Sequence, residues 1–333
     1  MVSIMVTMIL MIVLSLVVLG FAQISRRNQR QALDRQLSTQ AFYAAETGVN
    51  DARNLIKTAV DAGNVVSAKT SCADQGAGNF YASLVPAVDG ASNISYSCVI
   101  VDPTPTTLQY TLTGASTVLP ISNSSGASLT SLVLSWQTTT GSATPVNNCP
   151  TSAGAAFSTT ASWTCGYGVV RFDLVPTGGS GNNIANLQAG TMTVFALPLR
   201  VGGTNSIPFA ANTANGNNLT SVACNNTNCT LTITGLSNSS YYMRINSLYQ
   251  NSSLKITGSA GAVAAQFANA QVMIDSTGKA QDILRRIQVR LPINGDSANH
   301  LSDYALQSTD SICKRFTTMS GYFQTQAGLT VSG

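Results

Sequence analysis

The first 25 residues, Met1 to Ser25, carry no charged side chain and are mostly apolar. A membrane-spanning helix needs about 20 apolar residues, so this stretch is long enough to cross a bilayer. Arginines follow it, and a helical pattern without proline continues to about residue 60. No basic segment precedes the stretch and no small-residue cleavage site follows it, which is atypical of a secretory signal peptide. We predict one long helix, with a transmembrane or filament-core part at 1–25 and an amphipathic continuation at 26–61.

The composition points to a protein outside the cytosol. Charged residues make up 9% of the 333 residues, against about 25% in an average globular domain. The formal net charge is +4, and no basic face is interleaved with aromatic residues, which argues against nucleic acid as a partner. The chain has one histidine and no G-x-S-x-G motif, and it has no evident carboxylate pair. We therefore predict no enzymatic activity, no cofactor and no metal site.

Cysteines occur only after the predicted helix. There are seven of them: Cys72, Cys98, Cys149, Cys165, Cys224, Cys229 and Cys313. A zinc site would need four of these thiols at irregular spacings, so disulfides in an oxidising compartment are favoured. Proximity in sequence suggests the pairs Cys149–Cys165 and Cys224–Cys229, followed by Cys72–Cys98. The alternative is that Cys313, otherwise left over, pairs with Cys72 or Cys98.

The charges around the apolar stretch raise a question of topology. Arg26, Arg27, Arg30 and Arg35 follow it, so the positive-inside rule would place the cysteine-bearing body in the cytoplasm. This conflicts with the disulfides. A short basic leader, removed before Met1, would resolve the conflict and make Met1 a processed N-terminus. The alternative is a gene-encoded start with an unusual signal anchor.

From residue 37 onward the helix has one apolar face at steps of three or four residues. The small and apolar members of this face are Leu37, Ala41, Ala44, Gly48, Ala52, Leu55 and Ala59, and the flanking residues that widen it are Leu33, Phe42, Val49, Ile56 and Val60. Asp34 and Glu46 lie mostly off this face, and Glu46 is the only glutamate in the chain. We predict that they meet Arg26, Arg27, Arg30 or Arg35 of a neighbouring subunit, because packed helices solvate such charges poorly. The alternative is a solvated helix surface.

After the helix, short β-type runs alternate with turn residues. The predicted strands are Ile94–Val101, Thr107–Thr113, Ser131–Gln137, Gly168–Leu174, Thr191–Leu197, Thr230–Ile233, Tyr241–Tyr249, Leu254–Thr257, Ala270–Asp275 and Arg285–Leu291. No helices separate them, which indicates antiparallel sheets that form a sandwich. The core candidates are Trp136, Trp163, Phe172, Phe195 and Tyr242.

The predicted fold class is α+β: a long helix followed by a β-rich, sandwich-like body at 62–333. A sandwich at about 104–261 could be inserted into a smaller unit formed by 1–103 and the strands after about 262. The segment Asp275–Lys279 contains Gly-Lys but lacks the spacing of a phosphate-binding loop, so we interpret it as a hairpin turn.

The segment Gln36–Ala52 reads QLSTQAFYAAETGVNDA. It resembles the A-x-x-AAE-x-G helix of type IV pilins and pilin-like proteins, particularly the PilX-like group. The resemblance covers about 60 residues of the helix. The stretches Cys98–Pro103, Lys279–Arg290 and Ser311–Arg315 also resemble pilins of Saccharibacteria-type episymbiotic bacteria.

The resemblance implies how such a chain is processed and assembled. A prepilin peptidase would cut before Met1 and methylate its amine, and an assembly ATPase and a platform protein would lift the subunit from the membrane into a helical homopolymer. The residues expected in the filament core are Met1, Ile4, Met5, Leu10, Leu14, Leu19, Gly20 and Phe21. Met5 departs from the glutamate usual at this position, for which the Ser3 or Thr7 hydroxyl could compensate.

The function implied is that of a structural pilus subunit, stored in the cytoplasmic membrane and then exposed on the cell surface for adhesion to host cells or twitching motility. Gly20 could stand in for the usual proline near position 22 and allow local melting of the helix, since glycine costs about 1 kcal/mol in a helix interior. The alternative function is a monomeric, membrane-anchored surface adhesin.

Overall fold

The protein is described by a computed structural model. It describes residues 2–72, 80–81, 84, 93–139, 143–152, 162–177, 189–210 and 218–293, without the side chains of residues 2–4 and 7. The elements in chain order are α1 (Val2–Asp61), β1 (Ile94–Asp102), β2 (Thr107–Leu112), β3 (Thr117–Asn123), β4 (Ser131–Thr138), β5 (Val169–Thr177), β6 (Met192–Leu199), β7 (Ser206–Pro208), β8 (Leu219–Ala223), β9 (Cys229–Thr234), β10 (Ser240–Leu248), β11 (Ser252–Ala260), β12 (Val263–Ala264), β13 (Phe267–Ala268), β14 (Gln271–Ala280) and β15 (Ile283–Pro292). Met1, Cys313 and the side chains of Ser3, Ile4 and Thr7 lie outside the described part.

Helix α1 is continuous over 60 residues, which corresponds to a length of about 90 Å. It has no break at Gly20. The polar side chains within it are accommodated locally, as where the Ser15 hydroxyl donates to the Met11 carbonyl oxygen at 2.8 Å. The long helix and the β-rich body together confirm the predicted α+β fold class.

The second half of α1 packs on a small antiparallel sheet in the order β1-β14-β15. This sheet joins the first strand of the body to its last two. Val49, Ala52 and Ile56 of the helix share a buried core with Val99 of β1 and Ile274 of β14. The contact between helix and sheet therefore holds α1 on strands that are far apart in sequence.

Two larger sheets are built from the strands between Thr107 and Ala268. One has the order β13-β3-β10-β5-β6-β8, and the other has the order β12-β11-β4-β9-β7, with β2 also paired to β11. They enclose one large apolar core. The sheets are not wholly antiparallel as predicted, because β6 pairs with β8 and β7 pairs with β9 in parallel.

The predicted aromatic core is correct in part. Trp136, Trp163 and Phe172 are buried, and Phe195 packs partly buried against the same core. Tyr242 is 44% exposed, whereas Tyr241 is 1% exposed. Side chains alternate between the two faces of a strand, so choosing the neighbouring tyrosine put the prediction on the wrong face.

Two further predictions about local structure are wrong. Asp275–Lys279 is not a hairpin turn, because it lies inside β14 and every one of its residues pairs with β15. The turn falls at the next residues, where Gln281 adopts a φ of 54°. On the helix, Leu33 and Phe42 are 57% and 48% exposed rather than part of the packed face.

Three disulfides join Cys72 to Cys98, Cys149 to Cys165 and Cys224 to Cys229. These are the pairs suggested by proximity in sequence, and they leave neither Cys72 nor Cys98 free for Cys313. The Cys149–Cys165 bridge lies within the large core, next to the buried Trp163.

Removing the Cys149–Cys165 bridge by a double change to serine is expected to lower the stability of the body. The bridge closes a loop with a sequence separation of 16, for which the loss of unfolded-state entropy corresponds to about 3 kcal/mol. Denaturant unfolding followed by tryptophan fluorescence would measure the change. Serine variants of Cys224 and Cys229, whose separation is only 5, should lose about 2 kcal/mol. An equal loss from both would contradict the loop-length argument.

Candidate assembly surface

The first half of α1 projects from the body with its apolar side chains uncovered. Leu10 is 56% exposed, Leu14 57%, Leu19 59% and Phe21 68%. Full burial of a leucine stabilises it by about 1.5–3 kcal/mol relative to water, so a surface of this kind requires lipid or protein around it. The uncovered residues 5, 6 and 8–24 are called the bare segment below.

The bare segment also meets the requirements for crossing a membrane. Within Met8–Asp61, the most apolar window of 18 residues has a mean hydropathy of 2.5 and none of it is buried. By length and composition this helix can span a bilayer. A surface with these properties suits storage in lipid and packing against other apolar helices equally well.

The packed half of α1 approaches the sheet through residues without side-chain bulk. Gly278 on β14 lies so close to the helix backbone that an added Cβ would overlap the Ala41 carbonyl oxygen and the Ala45 amide nitrogen. At Gly48 an added Cβ would lie 2.5 Å from the Ser276 hydroxyl and 3.0 Å from Cγ of Tyr96. Small residues on both elements therefore fix the depth at which the helix rests on the sheet.

A polar contact accompanies this apolar packing. The Tyr96 ring is 3% exposed beneath the helix, and its hydroxyl forms a side-chain hydrogen bond with Asp51. Burial, together with the negative charge of Asp51 and that hydrogen bond, raises the pKa of Tyr96 to about 12. The neutral phenol is thus the form that the helix–sheet contact favours.

We expect the helix–sheet contact of the wild type to weaken as the pH rises from 10 to about 12. The unfolded tyrosine has a pKa of about 10, so in this range the unfolded chain loses a proton that folded Tyr96 retains, and stability falls. Thermal unfolding measured at pH 9 and pH 11.5 should show a smaller loss in Tyr96→Phe than in the wild type. The control is Tyr242→Phe, which changes a tyrosine that is 44% exposed on the body and should lose as much stability between the two pH values as the wild type.

The charged residues predicted to join subunits all lie at the surface. They are Arg26, Arg27, Arg30, Asp34, Arg35 and Glu46, and each is exposed. None of them forms an ion pair with another described residue of the same chain. The described ion pairs lie in the body, as between Arg286 and the buried Asp275. Within the described part of the chain, the six charges therefore face no oppositely charged side chain in contact. Among the described residues, no cluster of histidine, cysteine and carboxylate side chains is placed to hold a metal ion.

The packed half of α1 also has an outer face that the sheet does not cover. Phe42 is 48% exposed and Tyr43 is 60% exposed, and their rings meet edge-on at 6.0 Å. Glu46 lies one turn further on and is exposed too. These three residues, called the outer patch below, face away from the sheet because Ala41, Ala45 and Gly48 occupy the opposite side.

Some of the predicted assembly residues share one surface, and the others lie elsewhere on the helix or outside the described part. Met5, Leu10, Leu14, Leu19, Gly20 and Phe21 lie together along the bare segment. Sequence reasoning missed Gly278 and Ser276, which determine how the helix sits on the sheet. The run of small residues Ser276-Thr277-Gly278 opposite an alanine-rich helix was the available signal, but its pairing partner could not be read from the sequence.

Comparison with known proteins agrees with this geometry at the N-terminus. Residues 2–50 match the family model of the PilX N-terminal domain. No curated protein and no solved structure matches the chain, so the resemblance of the later stretches to Saccharibacteria-type pilins has no support. Pilins are structural proteins rather than enzymes. The match supports a type IV pilin-like protein, and it covers the bare segment and the start of the packed half of α1.

Proposed function

We propose that this protein is a structural subunit of a type IV pilus and that it polymerises non-covalently through α1 into an extracellular filament. The observation that carries the proposal is the bare segment, an uncovered apolar helix that continues into a half packed on the β-rich body. In a filament, neighbouring helices would cover the bare segment and the bodies would form the surface.

The energetics of the bare segment favour assembly that can be reversed. Each buried leucine or isoleucine contributes about 1.5–3 kcal/mol relative to water. Relative to lipid the gain is much smaller, because the hydrocarbon of a membrane is already apolar. A subunit would therefore exchange between membrane and filament with a modest change in free energy, which suits extension and retraction by an assembly ATPase and a platform protein.

The partners and location follow from this proposal. The filament partners are identical subunits, with Asp34 and Glu46 meeting arginines of the 26–35 segment across the contact. A prepilin peptidase would cut before Met1 and methylate the exposed amine of Met1. The subunit would lie in the cytoplasmic membrane before assembly and on the cell surface afterwards, where the polar body would contact host cells or support twitching motility.

The second candidate is a monomeric surface adhesin that uses α1 only as an anchor. The bare segment suits this function as well. The outer patch favours the filament, because an anchor does not require exposed aromatic rings and a lone glutamate on the half of the helix that is already held by the body. A neighbouring subunit would cover this patch.

Mass spectrometry of the N-terminal peptide, taken from filaments sheared off cells, tests the proposal. A methylated Met1 at the N-terminus of chains in the sheared fraction is the expected result. An unmethylated or formylated Met1, or a chain that stays with the cell membrane after shearing, would favour the anchored adhesin.

A further inference from the structure

A groove of 960 Å³ lies where α1 leaves the body. One wall is the helix, with Leu33 and Leu37 one turn apart, and the other wall is formed by Asn93, Gln281 and Asp282. Leu33 is 57% exposed. The groove thus joins an apolar helix surface to a polar edge that includes a carboxylate.

The polar edge is a fixed part of the fold. The backbone N–H of Gln281 donates to the backbone carbonyl oxygen of Asn93 at 3.2 Å. This hydrogen bond joins the turn between β14 and β15 to the residue before β1. Asp282 is exposed next to this hydrogen bond. The backbone of Asp282 is therefore held beside the leucines of the helix.

The charge and the apolar residues of the groove restrict what can fill it. The exposed carboxylate of Asp282 would attract a cationic side chain. The two leucines of the helix would pack against an apolar side chain next to that cation. The chain has a helical segment with this combination, since Ile24 is 58% exposed and Arg27 follows three residues later.

We propose that this groove receives α1 of a second copy, with Ile24 of that copy on Leu33 and Leu37 and its Arg27 on Asp282. Residues three apart lie on the same side of a helix, so Ile24 and Arg27 can make both contacts at once. The inference rests on the proposed filament and deepens it, because it assigns a surface of the body to the neighbouring helix. The contact is additional to the pairs expected for Asp34 and Glu46.

Cross-linking within filaments tests the contact. Two full-length copies with different epitope tags, one carrying Arg27→Cys and the other Asp282→Cys, are co-expressed and the sheared filaments are treated with a short bismaleimide. We expect a dimer that contains both tags. Copies carrying only one of the two changes control for reaction at Cys313, and Asp61→Cys, at the exposed far end of α1, replaces Asp282→Cys as the control for random collision.

Charge reversal provides a second measurement. Asp282→Lys and Arg27→Asp should each lower the yield of sheared filaments about fivefold, as expected for the loss and reversal of a partly exposed ion pair. The double variant should recover most of the yield. Asp61→Lys should assemble as the wild type does. Intact disulfides in each variant would show that the body has folded.

The outcomes separate this inference from the proposed function. If filaments form normally but yield no dimer with both tags, or if the double variant assembles no better than the single ones, the groove is not the site of the second helix and the pilus proposal stands. If the unmodified chain forms no filaments at all, the pilus proposal fails first.

Discussion

Replacing Leu10 with aspartate is expected to abolish filaments while leaving the body folded. Leu10 is 56% exposed within the bare segment, so the packing of the described body does not depend on it. An aspartate at the centre of a membrane helix costs about 2.5–3.5 kcal/mol, and an unpaired charge in a filament core costs a similar amount or more. The sheared fraction from cells expressing Leu10→Asp should contain no filaments by electron microscopy.

Leu284→Asp is the matched control for this prediction. Leu284 lies on β15 and is 59% exposed, so the chemical change and the exposure are the same but the residue is on the body. Filaments should form normally in this variant. Normal piliation by Leu10→Asp would contradict the assignment of the bare segment to the filament core, whereas loss of piliation in both variants would show that the effect is not specific to the bare segment.

Replacing Gly278 with alanine is expected to destabilise the protein by about 3 kcal/mol, at the upper end of the usual cost of overpacking. The added methyl group would overlap the backbone of α1 at Ala41 and Ala45. Backbone atoms of a helix cannot rotate away as a side chain would, so either the helix or β14 must shift. Denaturant unfolding of the full chain in detergent micelles would measure the loss.

Gly114→Ala is the control for the change at Gly278. No atom lies within 4 Å of a Cβ added at Gly114, so this variant should unfold at the same denaturant concentration as the wild type. Gly278→Ala should also assemble poorly, because a displaced helix would present the outer patch at the wrong angle. A stable, fully assembling Gly278→Ala protein would show that the close approach of helix and sheet has no energetic consequence.

Parts of the fold could be predicted because they depend on short-range pattern. The end of α1 near residue 61 follows from the Asp61-Ala62-Gly63 sequence, in which Gly63 adopts a φ of 73°. The buried stripe on the helix follows from residues spaced three and four apart. The ten predicted strands all lie within or next to observed strands, because each contains a β-branched or aromatic run bounded by turn residues.

The missing parts depend on partners that are distant in sequence. Strand β3 was not predicted because Pro120 lies inside it, and proline cannot donate to a sheet. Pro120 is tolerated because β13 pairs only with Ser122 and Asn123, so the donor side of Pro120 faces no strand in the described chain. The parallel pairing of β6 with β8 and the groove beside Asp282 likewise arise only when remote segments meet.

The small sheet under α1 also bears on how such a surface protein can diversify. Asp102 at the end of β1 is the pairing partner of Met273 near the start of β14, so the chain leaves and re-enters the small sheet at neighbouring positions. The stretch between them, which contains both larger sheets, is therefore an insertion between β1 and β14 of the small sheet. A different domain whose ends lie about 5 Å apart could replace it without altering α1, which would let the exposed face of the protein change while the means of anchoring it stays the same.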